Sequence, residues 1–173
     1  ASFKAFGAKH DLLYVLVHSI AFADREWLQL GKFTPTPRAA YLGAIDVSAY
    51  TLLGLSKEAL PYMQKAGGGS IMSMSYYGAE KVVPGYNVMG VAKAALECTT
   101  RYLAAELGQY QIRVNAISGG YLRTLASSAV GGTDSMTERN LERSPMKRNV
   151  EGSDVGGTAV YLASNPNLVP SRL

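Results

Sequence analysis

Two residues in this 173-residue chain have the types and spacing to do chemistry together, Tyr86 and Lys93. Helical periodicity surrounds them, and seven positions on a helix make nearly two turns, so both side chains would share one face about 10 Å apart along the axis. That geometry suits a phenol facing a reacting carbonyl and an ammonium holding the ribose of a cofactor. A fixed ammonium nearby would also favour tyrosinate and make the phenol a better proton donor.

The spacing alone is not specific, because the chain contains eleven tyrosines and many lysines. The structural alternative is an interfacial tyrosine and a lysine on a solvated helix face. The elements that position the pair and the motifs around it must therefore decide between the two interpretations.

Apolar runs and helical periodicity predict strands that alternate with helices. Strands are expected over residues 12–17, 70–75 and 113–118. Helices are expected over residues 45–65, 86–110 and 154–164, with Pro61 kinking or tightening the first and Ser153 capping the last. The pattern weakens over residues 124–150. This order predicts an α/β fold with a Rossmann-like, doubly wound parallel sheet.

The predicted sheet is incomplete. Three strands make a thin sheet with unpaired apolar edges, and no G-x-G-x-x-G motif follows the first strand to hold a pyrophosphate. We therefore expect residues 1–173 to form a single domain, the C-terminal part of a larger dinucleotide-binding fold. The first strands and the last strand are expected to be absent, and dinucleotide binding to this chain alone to be weak.

Composition excludes several classes of function. With 47% hydrophobic and 17% charged residues and no apolar run of about 20, the chain is expected to be soluble and not to span a membrane. One cysteine, Cys98, and two histidines make a disulfide or a zinc site improbable, and Cys98 is expected to be buried. The net charge of +4 is dispersed, which argues against nucleic acid. The denser stretch Arg139, Arg143, Lys147 and Arg148 is a solvated face or a surface for an acidic partner.

Four segments in this order carry a resemblance to a known family. They are YYGAE (76–80), PGYNVMGVAK (84–93), RVNAIS (113–118) and LRTLA (122–126). Together they resemble bacterial or cyanobacterial enoyl-acyl-carrier-protein reductases, a branch of the short-chain dehydrogenase/reductase superfamily, over about residues 11–165. The wider superfamily typically spaces its tyrosine and lysine as Tyr-x3-Lys, and here Gly90 stands where that lysine would be.

The resemblance implies a reaction. NADH, or alternatively NADPH, would deliver hydride to the β-carbon of an enoyl thioester held by acyl-carrier protein, in fatty-acid synthesis. Tyr86 would stabilise the negative charge that develops on the thioester oxygen, and Lys93 would hold the nicotinamide ribose. Tyr76 matches a second family tyrosine near the substrate; its alternative is a hydroxyl in water. The family generally forms homotetramers through the helix that carries the pair, and a cytoplasmic location, or a plastid in a eukaryote, is expected.

Further site residues follow by position in the resemblance, with core packing as the alternative for each apolar one. The expected cofactor contacts are Ser19, Ile20, Ala21, Met74, Lys93, Leu122 and Thr124. The expected substrate contacts are Phe22, Met89, Ala126 and Val130. No metal is expected, and residues 124–147 occupy the place of a substrate-binding lid.

Some residues depart from the family pattern. Ala21 replaces a usual glycine and would crowd the nicotinamide, and Gly119-Gly120-Tyr121 replaces a usual Ala-Gly-Pro. Gly131 and Gly132 replace basic residues thought to meet acyl-carrier protein. Two other functions therefore stay open: a cofactor-poor paralogue with a structural or partner-binding role, and a ketone reductase of the wider superfamily.

Overall fold

The computed structural model describes residues 2–122, 138 and 141–164. Within them, β1 (Val15–His18), β2 (Gly69–Ser75) and β3 (Ile112–Ser118) form one parallel sheet in the order β1-β2-β3. Because His18 pairs with Ser73 and Ser75 pairs with Ser118, the carboxyl ends of all three strands lie at one edge. The Rossmann-like parallel arrangement predicted from the sequence is confirmed.

The helices and short turns connect these strands. The helices are α1 (Ser2–Gly7), α2 (Arg38–Ile45), α3 (Thr51–Lys65), α4 (Asn87–Leu107) and α5 (Gly152–Ser164). A π-helical segment, Asp46–Tyr50, joins α2 to α3, so that residues 38–65 are helical without a break. Short 3-10 turns lie at Arg25–Trp27, Tyr77–Ala79 and Gly108–Tyr110.

Several predicted boundaries were wrong for local reasons. The helix expected from residue 45 begins at Arg38, because Pro37, whose backbone is extended, accepts the first helical hydrogen bond from Tyr41. That helix then continues through Pro61 to Lys65. The first strand begins at Val15 rather than residue 12, although the carbonyl of Tyr14 already accepts a bond from Ser70.

The start of α5 was also predicted wrongly. Ser153 lies inside the helix, which begins at Gly152. The side chain of Asp154 accepts a hydrogen bond of 2.9 Å from the backbone N–H of Glu151. Asp154 therefore satisfies one of the backbone donors that a helix leaves free at its start. The helix contacts β2 and β3, and Val155 lies close to Gly119 at the end of β3.

The main core lies between the sheet and helices α3 and α4. Leu52 and Met63 of α3, Leu96 of α4, Ile71 of β2 and Val114 of β3 are almost fully buried in it. The residues of α4 that enter this core recur at three- and four-residue spacings, as a helix with one apolar face requires. The opposite face of α4 is open, so Cys98, expected to be buried, is exposed. This packing fixes α4 and the residues that it carries against β2.

The helical stretch 38–65 also has an exposed apolar face. Leu42, Tyr50 and Leu53 are each more than 40% exposed, and Tyr102 of α4 is 76% exposed. By length and hydropathy alone this stretch could cross a membrane, a criterion that core helices of soluble proteins also meet. An uninterrupted run of about 20 apolar residues is nevertheless absent here, because Asp46, Lys57 and Glu58 interrupt the stretch.

Candidate active site

Lys93 reaches the carboxyl end of β2 from α4. Its side chain is 7% exposed, and its ammonium Nζ donates a hydrogen bond of 2.5 Å to the backbone carbonyl of Met74. The solvated helix-face interpretation of Lys93 is therefore wrong, because a solvated lysine would not be buried against a strand carbonyl. A buried ammonium with a single acceptor in the described structure retains N–H groups for another partner.

Tyr86 and Tyr76 lie together at the same strand end. Their ring centroids are 5.0 Å apart in an edge-to-face arrangement, which is a favoured geometry for aromatic pairs. Tyr76 follows Met74 by two residues, and Tyr86 is the N-cap residue immediately before α4. The structure thus brings Tyr86, Tyr76 and Lys93 to one edge of the sheet, as predicted, although Tyr86 precedes the helix.

Two glycines explain how Tyr86 and α4 fit against the 3-10 turn Tyr77–Ala79. A Cβ at Gly78 would lie 2.4 Å from Cδ1 of Tyr86, and a Cβ at Gly90 would lie 2.8 Å from the carbonyl oxygen of Gly78. A lysine at position 90, as in the wider superfamily, would therefore collide with this turn. Because α4 packs closely on this turn, position 90 has no room for a lysine. Lys93, seven residues after Tyr86, is the lysine that reaches the strand end.

Burial sets the protonation states of the two catalytic candidates. Burial of the ring, with a smaller effect of Tyr76, raises the pKa of Tyr86 well above its usual range. The sequence-based expectation that the ammonium favours tyrosinate was wrong in direction, because desolvation of the phenolate dominates here. Burial also lowers the pKa of Lys93 to about 8, against an opposing effect of Glu97. The pair therefore consists of a neutral phenol and a cation that loses its proton slightly above neutral pH.

Glu97 is a member of the site that the sequence analysis missed. One turn beyond Lys93 on α4, its carboxylate accepts a hydrogen bond of 2.5 Å from the hydroxyl of Ser75 at the end of β2. Glu97 also lines a cavity of about 280 Å³. The cavity is lined by Glu80, Glu97, Thr100, Arg101, Ala104, Val114, Asn115, Ala116 and Ser118. The carboxylate thus lies between Lys93 and an opening of the surface.

The π-helical segment Asp46–Tyr50 holds the loop that follows β1. Ser48 is fully buried; its hydroxyl accepts a bond of 3.0 Å from the backbone N–H of Phe22 and donates one of 3.2 Å to the carbonyl of Phe22. Next to it, Thr51 shares a bond of 2.8 Å with Nε2 of the buried His18. Isolated π-helical turns are frequent at functional sites. The signal available in the sequence was a serine within an apolar helical stretch, which also contains Ser56.

The loop itself presents the residues expected to contact cofactor and substrate. Ser19 and Ala21 are exposed, Ile20 is 43% exposed and Phe22 is 60% exposed. The backbone of Phe22 is held by the buried Ser48, so the loop is anchored at that residue.

Asn87, the first residue of α4, ties this loop to the tyrosines. Its side-chain N–H₂ donates to the carbonyls of Trp27 and Gln29 at 2.8 and 2.7 Å. Its φ of 41° is in the left-handed region, which asparagine tolerates better than most residues. Asn87 was part of the recognised motif, but no pattern in the sequence predicted its hydrogen bonds to the carbonyls of Trp27 and Gln29.

The remaining predicted site residues divide into three groups. Met89 is 7% exposed and packs in a cluster with Leu28 and Ala44, so its described contacts are those of a core residue. Met74 and Leu122 are half-buried at the ends of β2 and of the segment after β3. Thr124, Ala126, Val130, Gly131, Gly132 and Arg139 lie outside the described residues.

Comparison with protein families and curated proteins gives a consistent result. A family model described as enoyl-(acyl carrier protein) reductase matches residues 1–168. The enoyl-acyl-carrier-protein reductase (NADH) FabI of Synechocystis sp. is 49% identical over 165 residues, which are 95% of this chain and 63% of that protein. The protein of the same name from Rickettsia felis is 49% identical over 150 residues, 87% of this chain and 56% of its own.

Solved structures give the same similarity. The Bacillus cereus enoyl-acyl carrier protein reductase with NADP+ and indole naphthyridinone has a TM-score of 0.92 and 41% identity, covering 98% of this chain and 66% of that one. The Anaplasma phagocytophilum reductase in complex with NAD has a TM-score of 0.87 and 46% identity, covering 94% and 61%. The chain thus spans about two thirds or less of the length of these relatives.

Proposed function

Since the chain belongs to the enoyl-(acyl carrier protein) reductase family, we propose that the protein reduces the 2,3 double bond of an enoyl thioester with hydride from a nicotinamide cofactor, as a step of fatty-acid synthesis. One observation carries the proposal: the ammonium of Lys93, bonded to Met74, lies at the same strand end as the packed rings of Tyr76 and Tyr86.

The residues at the sheet edge fit a nicotinamide nucleotide. Lys93 has N–H donors left over for a ribose diol, and Nδ1 of the buried His18 has no partner among the described residues. The exposed Ser19–Ala21 segment and Leu122 would flank the ring. The cofactor, when bound, supplies the hydride. NADH is proposed because the Synechocystis and Rickettsia relatives carry it in their names, and the Bacillus cereus structure with NADP+ keeps NADPH as the alternative.

Tyr86 is proposed to act on the thioester carbonyl. As hydride reaches the β-carbon, negative charge moves to the thioester oxygen, and a positioned hydroxyl donor stabilises that charge where it develops. The pKa of Tyr86 is raised by burial, so at neutral pH the phenol holds its proton and can donate it. The edge-to-face contact with Tyr76 and the close approach of Gly78 restrict the ring to one orientation. Loss of one such donor typically lowers the rate about 10²–10³-fold.

The substrate is proposed to arrive on acyl-carrier protein. Phe22, apolar and 60% exposed on a loop anchored by Ser48, offers a contact for the acyl chain. The exposed basic residues Arg143, Lys147 and Arg148 offer charge for an acidic carrier, although Arg148 already forms a salt bridge with Asp154.

A homotetramer is proposed for the assembled protein. The exposed apolar face formed by Leu42, Tyr50, Leu53 and Tyr102 on α2 to α4 is typical of surfaces that bury against another subunit. We further propose that the protein works in the cytoplasm, without membrane or nucleic-acid partners. Light scattering coupled to gel filtration tests the assembly, and a monomeric mass at micromolar concentration would contradict it.

Turnover of enoyl thioesters tests the function. We would assay this chain, and a version extended with the segments of the Synechocystis relative beyond the match, by loss of NADH absorbance with a crotonyl thioester. The proposal predicts activity in the extended version and its loss in Tyr86→Phe and Lys93→Ala. The exposed Tyr77→Phe and Lys57→Ala serve as matched controls and should retain activity.

Each alternative has its own outcome. Turnover of a β-ketoacyl thioester in place of the enoyl thioester would identify a ketone reductase. Inactivity of the extended version towards both thioesters would favour a structural or partner-binding paralogue.

A further inference from the structure

Tyr121 is a buried tyrosine whose hydroxyl forms no hydrogen bond within the described structure. The residue is 9% exposed, and its hydroxyl oxygen is buried without a hydrogen-bond partner among the residues that the structure describes. More than nine in ten buried polar groups in folded proteins are hydrogen-bonded, so this phenol calls for a partner beyond the described residues.

The backbone places Tyr121 next to the site. Ser118 of β3 pairs with Ser75 of β2, so the residues that follow each strand emerge side by side at the same edge. Gly120 then turns the chain with a φ of 76°, a conformation that favours glycine. Tyr76 follows Ser75 directly, and Tyr121 returns to the protein interior after this turn.

The electrostatics of the two phenols agree with this placement. The pKa of Tyr76 is raised by burial and, in second place, by Tyr121, and the pKa of Tyr86 is raised by burial and then by Tyr76. With the ring contact between Tyr76 and Tyr86, the three tyrosines form a row of phenols along the edge. Tyr86 is proposed to act on the substrate and Tyr76 to lie near it, and the hydroxyl of Tyr121 has no partner among the described residues.

We propose that Tyr121 contacts the substrate, with its hydroxyl donating a hydrogen bond to a carbonyl oxygen of the bound enoyl thioester. The inference rests on the proposed function. The substrate is favoured over the cofactor because Tyr121 adjoins Tyr76, whereas the features that fit the nicotinamide ribose lie at Lys93.

The free protein provides the first test. In Tyr121→Phe the orphaned hydroxyl is removed without change of shape, so the urea midpoint of this chain should stay equal or rise. Tyr161→Phe, at a tyrosine of α5 that is 50% exposed, is the matched control and should leave the midpoint unchanged. A clear fall in the midpoint for Tyr121→Phe alone would show that the hydroxyl is bonded within the protein, which overturns the inference.

Kinetics of the extended version provides the second test. Tyr121→Phe should lower kcat/KM for a crotonyl thioester about 5- to 10-fold, the typical value of one neutral hydrogen bond, with KM for NADH unchanged. A rise in KM for NADH instead would assign the hydroxyl to the nicotinamide carboxamide, and no change in either constant would remove it from the site. Both results overturn the inference while leaving the proposed function intact.

A binding measurement separates the substrate contact of Tyr121 from the proposed function. If the extended protein shows no turnover, the proposed function fails. Calorimetric titration with crotonyl-N-acetylcysteamine still tests whether the Tyr121 hydroxyl contacts the thioester. Binding that weakens about 5- to 10-fold in Tyr121→Phe supports the inference. Equal binding by both forms, or no binding by either, contradicts it.

Discussion

Burial of the Lys93 ammonium predicts an unusual dependence of stability on pH. Its pKa is lowered from 10.5 to about 8 in the folded chain because the ammonium is desolvated. Between these two values the unfolded chain binds one more proton than the folded chain, so the free energy of unfolding rises with pH. The destabilising effect of the buried charge is fully present below about pH 8 and is relieved as the pH rises through that value.

The magnitude follows from the linkage relation. One pKa unit corresponds to about 1.4 kcal/mol, and integration between pH 7 and 9.5 gives a gain of about 2 kcal/mol from Lys93 alone. The raised pKa values of Tyr76 and Tyr86 act in the opposite direction, because there the unfolded chain loses its protons first. That effect begins only near pH 10, the ordinary pKa of tyrosine, so the chosen range isolates the lysine.

Urea unfolding of the wild-type chain and of Lys93→Met over this range measures the effect. The wild type should gain about 2 kcal/mol relative to the variant between pH 7 and 9.5. Lys57→Met, which removes an exposed lysine of α3, is the matched control and should keep the wild-type profile. Because Glu97 opposes the shift, Glu97→Gln should move the inflection below pH 8. If the free energy of unfolding changed with pH in the same way for wild type and Lys93→Met, the reasoning would be refuted. That result would mean that the ammonium is not desolvated.

Two further substitutions test how the site is positioned. Gly90→Ala should lower the free energy of unfolding although alanine favours a helix by about 1 kcal/mol, because the new Cβ would lie 2.8 Å from the carbonyl oxygen of Gly78. Gly54→Ala, where the space is open, should instead stabilise the chain in the same urea titration, and an equal gain at both sites would contradict the packing. Ser48→Ala should increase hydrogen exchange at the Phe22 amide about tenfold, because the amide loses its buried acceptor; an unchanged rate would show that other contacts hold the loop.

The sequence was sufficient for the features that depend on local pattern. The alternation of apolar runs predicted three parallel strands, and the spacing of apolar residues predicted α4, although it left the burial of Lys93 open. The motif around Tyr86 predicted that Tyr86 and Lys93 serve one pocket, with Tyr76 near the substrate. Residues near helix starts were less predictable, since Pro37 and Asp154 act through single hydrogen bonds to the backbone.

Features that depend on tertiary packing could not be predicted. The direction of the Tyr86 pKa shift is set by how deeply the ring is buried, and no residue spacing reports that depth. The roles of Ser48 and Glu97 arise from hydroxyl and carboxylate contacts with segments 26 and 22 residues away in sequence. Cys98 was expected to be buried because periodicity shows which residues share a helix face, but not that this face is uncovered.

The position of the transferred hydride tests the central claim most directly. The extended protein would be given NADH deuterated at the transferable position and a crotonyl thioester, and the product analysed by mass spectrometry and NMR. If Tyr86 and Lys93 serve one pocket for cofactor and enoyl thioester, deuterium appears on the β-carbon and a solvent proton on the α-carbon. Product without deuterium on the β-carbon, or deuterium found only on the hydroxyl-bearing carbon of a reduced β-ketoacyl thioester, would contradict the account.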